Sequence, residues 1–192
     1  MQSALGLPNI VGYILNIMSL IIDASTLHPS TRLALAALSW LEERIQPQKV
    51  LDLGCGNGVL SLTAAHIWAA RVIACDISPN AVADCTENAR THAPEGDIRV
   101  LRSDGFKHPT IAAEAPYGLI IGNLLAQWQV QMAGDIAKNL HPEGVILLSG
   151  ILLWQEEGLI AAFKSLNIEV IQKFSENEWV CHIARHHSFT QL

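Results

Sequence analysis

The densest concentration of chemically suggestive residues in the chain is Asp52-Leu53-Gly54-Cys55-Gly56-Asn57-Gly58. Glycines at alternate positions let a backbone turn tightly and approach a ligand closely, because no Cβ fills the space the ligand needs. The spacing is G-x-G-x-G with an acid upstream, whereas a pyrophosphate cradle is spaced G-x-G-x-x-G. A ligand that carries an amino group and a sulfonium suits a loop with a carboxylate beside it better than a phosphate does. The segment therefore points to S-adenosylmethionine, with Asp52, Gly54, Cys55, Gly56, Asn57 and Gly58 as candidate contacts. A structural glycine turn with Asp52 as a cap is the alternative.

Asp76 follows Gly54 by 22 residues, about where a βαβ unit places an acid for two hydrogen bonds to ribose hydroxyls. It also stands where it could cap a helix opening at Ser78-Pro79. Ile77 is a candidate apolar wall for an adenine ring or plain core. Asp104, in Ser103-Asp104-Gly105-Phe106, is placed to accept a hydrogen bond from an adenine amino group, although Asp-Gly is also an ordinary turn. Asn123, in Ile121-Gly122-Asn123-Leu124-Leu125, is the candidate catalytic residue. An uncharged amide can orient an amine by accepting its hydrogens, and the same side chain could cap the next helix.

Something must bring these residues to one edge, and the hydrophobic pattern indicates what. Val50–Leu53, Val72–Asp76, Ile98–Leu101, Leu119–Asn123 and Val145–Leu148 are short apolar runs, which read as buried strands. Helical patterns alternate with them: Ser30 to Arg44, with Leu33, Ala37, Trp40 and Leu41 on one face; Gly58 to Ala70; Ser78 to His92; and a segment through Ala133, Ile136, Ala137 and Leu140. This β-α-β-α order, with strands apolar throughout, predicts a parallel sheet covered on both faces. The rhythm breaks at the end. Ile168–Phe174 and Trp179–Ile183 are joined by only Ser175-Glu176-Asn177-Glu178, and so short a loop joins antiparallel strands. The expected fold is α/β and Rossmann-like, a mostly parallel seven-stranded sheet with an antiparallel last strand.

With 192 residues, 50% of them hydrophobic and 16% charged, the chain suits one core and is not a disordered polymer. A formal charge of -6 gives no general attraction to nucleic-acid phosphates, and Arg185-His186-His187 reads as a solvated tail. The 4 cysteines, Cys55, Cys75, Cys85 and Cys181, form neither a C-x-x-C pair nor a disulfide framework, so no metal site is expected and a reducing cytoplasm fits best. His182, His186 and His187 lack the partners that a zinc site needs. Gln2 to Ile22 carries no charged side chain. Pro8, Asn9, Gly12, Asn16 and Ser19 interrupt it, and no basic start marks a secretory signal. It is expected to pack on the core, with membrane or partner contact as the minority reading. The expected division is thus residues 1–27 as an apolar segment, 28–187 as the binding domain and 188–192 as a tail.

The residues also resemble a known family, the bacterial methyltransferase of large-subunit ribosomal protein eleven, PrmA. The likeness runs from about His28 to Arg185. It is carried by His28-Pro29-Ser30-Thr31-Arg32-Leu33, the Asp52 to Gly58 loop, Cys75-Asp76-Ile77-Ser78-Pro79, Glu87-Asn88-Ala89, Asn123-Leu124-Leu125-Ala126, Leu148-Ser149-Gly150-Ile151-Leu152 and Glu178-Trp179-Val180. The resemblance implies a class I S-adenosylmethionine-dependent fold. It also implies that Thr31, Gly54, Asp76 and Asn123 hold the cofactor, and that methyl goes to lysine side-chain and terminal amines. Two departures stand out. The chain is too short to include that family's amino-terminal recognition domain, and Asp23-Ala24-Ser25-Thr26 replaces its Phe-Gly-Thr-Gly. The expected function is methyl transfer to a protein amine, with a ribosomal protein as the favoured partner. The alternatives are a small-molecule or RNA methyltransferase on the same fold, or a partner-binding subunit without turnover. Nothing in the residues indicates the oligomeric state.

Overall fold

Helix α1, Pro29–Leu41, begins as the His-Pro-Ser-Thr segment predicts. The His28 ring accepts from the Ser30 N–H at 3.3 Å, and Pro29 occupies the first turn, where a missing N–H costs nothing. The helix buries Leu33, Ala34, Ala37, Leu38 and Leu41 on one side. The structure, a computed structural model, describes residues 27–93 and 97–189. Except for the buried Leu27, the expected packing of the apolar segment lies outside them, as does the end of the tail.

After α1 the described chain runs through β1 (Lys49–Leu53), α2 (Val59–Trp68), β2 (Arg71–Asp76), α3 (Pro79–His92), β3 (Ile98–Arg102), α4 (Pro109–Glu114) and β4 (Tyr117–Asn123). It continues through α5 (Ala126–Asn139), β5 (Leu140–Leu152), α6 (Glu156–Lys164), β6 (Ile168–Glu176) and β7 (Trp179–His186). The strands form a 7-stranded sheet in the order β3-β2-β1-β4-β5-β7-β6. Pairings among β1 to β5 are parallel, and β7 lies antiparallel to both β5 and β6. The short link between β6 and β7 leaves the chain no room to cross over, so it turns back on itself.

Residues alternate between two cores. Val50, Val72, Leu119, Ile121, Val145 and Leu147 pack toward α1 and α2. Leu51, Leu53, Ile73, Ile120, Ile146 and Leu148 pack toward α5 and α6. Because both faces are covered, the strands read as unbroken apolar runs.

Some boundaries differ from the sequence expectation. α2 ends at Trp68 because Ala69 takes a left-handed conformation (φ 47°). β5 begins before Val145, carrying exposed His141, Pro142 and Glu143. Proline is tolerated there because the ladder with β4 is irregular between Tyr117 and Leu119. Helices α4 and α6 lie where no helix was expected. α4 is too short for a periodic signal, and α6 buries only Leu159 and Phe163.

Strand β1 sits between β2 and β4, so the chain winds outward on one side and returns on the other. This reversal opens a crevice outside the carboxyl ends of the strands. Phe163, 1% exposed, anchors α6 against the sheet. Phe163→Ala is expected to lower unfolding free energy by about 3–5 kcal/mol in urea titration, whereas Trp154→Ala, at a residue 78% exposed, shifts it by less than about 1 kcal/mol.

Candidate active site

The glycine loop leaves β1 and is tied at once to β2. The N–H groups of Gly54 and Cys55 donate to the Cys75 carbonyl at 2.8 and 3.0 Å. Gly54, Gly56 and Gly58 have φ of 70°, 55° and 86°, a region that side chains disfavour. A Cβ at Gly58 would also stand 2.6 Å from the Cys85 Sγ, so α3 packs directly on the loop. At Gly56 a Cβ would meet nothing within 4 Å: the turn is bare on that side.

Asp76 points at this turn. Its Oδ2 accepts from the Gly56 N–H at 3.0 Å and its Oδ1 from the Ser78 N–H at 2.9 Å. The hydroxyl of Ser78, not Asp76, accepts from Ala81 N–H to cap α3. Each carboxylate oxygen keeps lone-pair capacity for a further donor.

An open cavity of about 250 Å³ lies beside this acid, lined by Gly54, Asp76, Ile77, Ser103, Asp104, Leu124, Trp128 and Met132 among others. Ile77 is 62% exposed and so forms wall, not core. Asp104 lines the cavity while its Oδ2 pairs with Lys107 Nζ at 2.5 Å.

Asn123 ends β4, opposite Ser149 on β5. Its Nδ2 donates to Thr31 Oγ1 on α1 at 3.2 Å. With the nitrogen committed there, Oδ1 is the acceptor that the side chain offers. The next helix has Leu125 at its cap position with no side-chain cap bond, so Asn123 does not cap it.

Asp52 has a different setting. It is 1% exposed, its Oδ2 accepts from Ser61 Oγ at 2.5 Å, and its Oδ1 has no partner among the described residues. Burial pushes its carboxyl up to about 6, against the opposing pull of the Ser61 bond. Cys55 is buried with Ala74 and Cys85. The neighbouring Cys85 thiol and burial both push the Cys55 pKa up. Cys75, on the cavity wall, is pushed up to about 12 by burial, so it is a neutral thiol and not a nucleophile at neutral pH. The Asn57 side chain accepts from Val59 N–H at 3.3 Å, and the Asn57 backbone carbonyl accepts from Asn88 Nδ2 at 2.9 Å.

The sequence candidates therefore fall into groups. Gly54, Asp76, Ile77 and Asp104 line the cavity. Gly56 is bonded to Asp76, and Thr31 and Asn123 are bonded to each other at the β4 end. Thr31, Asp52, Cys55, Gly56, Asn57, Gly58 and Asn123 are not among the cavity's lining residues. Leu124, Trp128 and Met132 escaped the sequence reading. Their spacing of four, carried onward from the Asn123 turn, is the helical signal that would have found them. Among the described residues, no three His, Cys, Asp or Glu side chains are grouped to hold a metal ion. The bare face at Gly56, the acid beside it and the apolar walls fit an adenosyl amino-acid ligand.

Solved structures share this architecture. A ribosomal protein L11 methylase from Lactobacillus delbrueckii superposes with a TM-score of 0.75 at 24% identity, over 84% of this chain and 81% of that one. A methyltransferase from Podospora anserina, in an SAH-bound structure, superposes with a TM-score of 0.62 at 14% identity, over 97% and 99%. The fold is that of the class I S-adenosylmethionine-dependent methyltransferases. At the sequence level, a ribosomal protein L11 methyltransferase from Bradyrhizobium diazoefficiens is 34% identical over 152 residues, which is 79% of this chain and 52% of the relative. Residues 25–187 match the family model for ribosomal protein L11 methyltransferase (PrmA), and the chain belongs to that family. It spans about half the length of the curated relatives it matches.

Asp52 has a measurable consequence. Its folded pKa lies above its unfolded value of 3.8, so the folded state holds the proton more tightly. The stability this confers is complete below pH 3.8 and lost as pH rises through about 6. Between pH 4.5 and 7.5 the wild type is expected to lose about 2 kcal/mol relative to Asp52→Asn, read from urea titrations of both proteins at each pH.

Proposed function

We propose that the chain transfers a methyl group from S-adenosylmethionine to an amine on a protein, a ribosomal protein being the favoured acceptor. The observation that carries this reading is the Asp76 carboxylate. It is hydrogen-bonded to the glycine turn at 3.0 Å and lies on the cavity wall. The names of the family and its relatives support the choice of acceptor.

S-adenosylmethionine, when bound, supplies an electrophilic methyl on a sulfonium whose thioether departs readily. Asp76 binds the ribose hydroxyls, Ile77 packs on the adenine and Asp104 accepts from its amino group. The backbone of Gly54 and Gly56 meets the amino-acid end, with Gly58 holding the loop on α3 and Asp52 behind it setting a negative field. Thr31 holds the Asn123 amide so that Oδ1 accepts hydrogens from the incoming amine and orients its lone pair. The amine must arrive neutral, since an ammonium has no lone pair to give. Leu124, Trp128 and Met132 exclude water from the approach. Residues 28–187 act as the methyltransferase domain, flanked by 1–27 and 188–192. A ribosomal acceptor and free buried thiols suit a reducing cytoplasm, and no helix among the described residues is long and apolar enough to cross a membrane.

S-adenosylhomocysteine is expected to raise the melting temperature of the full chain, and absence of any shift would sink the proposal. Asp76→Ala is expected to weaken that binding roughly 100-fold, the loss of two hydrogen bonds to a charged group. Asn123→Ala is expected to slow transfer by about 100-fold while leaving S-adenosylhomocysteine affinity within a few-fold. Radiolabel transfer into a cell extract, separated into protein, RNA and metabolite fractions, identifies the acceptor. Label confined to RNA or to metabolites would replace the protein reading with one of those.

A further inference from the structure

The turn that presents Asn123 is held from behind by a side chain to which the proposed chemistry gives no part. Gln129, on α5, is 1% exposed. Its Nε2 donates to the carbonyl oxygens of both Leu124 and Ser149, at 2.6 Å each. Leu124 directly follows Asn123, and Ser149 is the β5 residue in register with Asn123. The Leu124 N–H itself donates to the Ser149 carbonyl at 3.2 Å. The Leu124 residue is therefore gripped at its nitrogen by β5 and at its oxygen by α5.

Gly150 closes the other side. With φ at +78°, it lies so near that a Cβ would stand 2.6 Å from the Leu124 carbonyl oxygen. The Leu124 side chain in turn lies against Gly54, where a Cβ would collide with it. A displacement of Leu124 would thus reach Asn123 on one side and the glycine loop on the other.

Nothing in the packing of α5 asks for an amide at this position. The other buried residues of α5 are Ala126, Ala133, Ile136 and, at its far end, Asn139, and the Gln129 Oε1 is buried without a hydrogen-bond partner among the described residues. A buried acceptor left unmade is unfavourable, so the contribution of the side chain lies in its nitrogen and the two carbonyls it bridges.

The geometry points to Gln129 as a positioning residue for methyl transfer: by bridging the Leu124 and Ser149 carbonyls it fixes the turn that aims Asn123 at the acceptor amine. This inference rests on Asn123 orienting the acceptor, and a misplacement of about 1 Å at such a group can cost roughly 100-fold in rate.

The test compares wild type, Gln129→Leu, Gln129→Glu and Asn123→Ala in the full chain. One readout is transfer to purified ribosomal protein L11. Another is hydrogen exchange by NMR at the Leu124 N–H and the Asn123 side-chain amide, which needs no acceptor. Gln129→Leu is expected to speed exchange at both groups and to lower kcat about 10- to 100-fold, with KM and S-adenosylhomocysteine affinity within about threefold and other core amides unchanged. Gln129→Glu donates only while its carboxyl is protonated, so its kcat relative to wild type falls as pH rises. Unchanged exchange at Leu124 and Asn123 in Gln129→Leu would overturn the inference. So would a parallel loss of affinity and kcat, which marks general loosening. A wild-type rate in Asn123→Ala refutes the role of Asn123 and with it the aim of the device, whereas the exchange data still decide whether Gln129 holds the turn.

Discussion

The Asp76–Gly56 hydrogen bond is the contact on which the binding edge depends. It joins the end of β2 to the loop leaving β1, and it is possible only because the two strands are parallel neighbours with Leu53 in register with Cys75. Parallel pairing sends both chains out of the same edge, so loop and acid meet. Gly56 can present its N–H because its left-handed backbone turns it toward the acid. Any residue with a Cβ at that φ would strain the turn. The acid is thereby oriented before a ligand arrives, and less ordering is left for binding to bring about.

A second set of bonds does the same for the opposite side of the crevice. Thr31 belongs to α1, far from Asn123 in the chain, and the two meet because Ser149 Oγ donates to the Ser30 carbonyl at 2.7 Å. The start of α1 is thus sewn to β5 beside the strand that carries Asn123. The edge-on contact of His28 with Trp179, at 4.5 Å between ring centres, adds a link to β7. The glycine loop and the Asn123 end of β4 are assembled by different parts of the fold, and Leu124 is where they touch.

Much of this was legible in the residues. The glycine loop, the acid that ends β2 and the amide that ends β4 each sit at the end of an apolar run, and the parallel order of the strands follows from their continuous hydrophobicity. Boundaries were less legible where geometry overrides composition. Ala69 stops α2 by its backbone conformation, and Pro142 sits inside β5 because the ladder is irregular there. Asp52 shows another kind of difference: spacing placed it beside the ligand, but alternation along β1 turns it away from the cavity and into the core under α2. Gln129 was not visible at all, since its importance lies in two carbonyls that only the assembled strands bring together.

The thiols carry a consequence of their own. All four cysteines are buried and unbridged, and they are spread over the loop after β1, over β2, over α3 and over β7. Cys75 borders the cavity, whereas an alkylating reagent can reach Cys55, Cys85 and Cys181 only when the surrounding structure opens. The order in which they react is therefore a clock for separate breathing motions. Cys55 and Cys85 time the parting of the glycine loop from α3, and Cys181 times the detachment of the antiparallel edge.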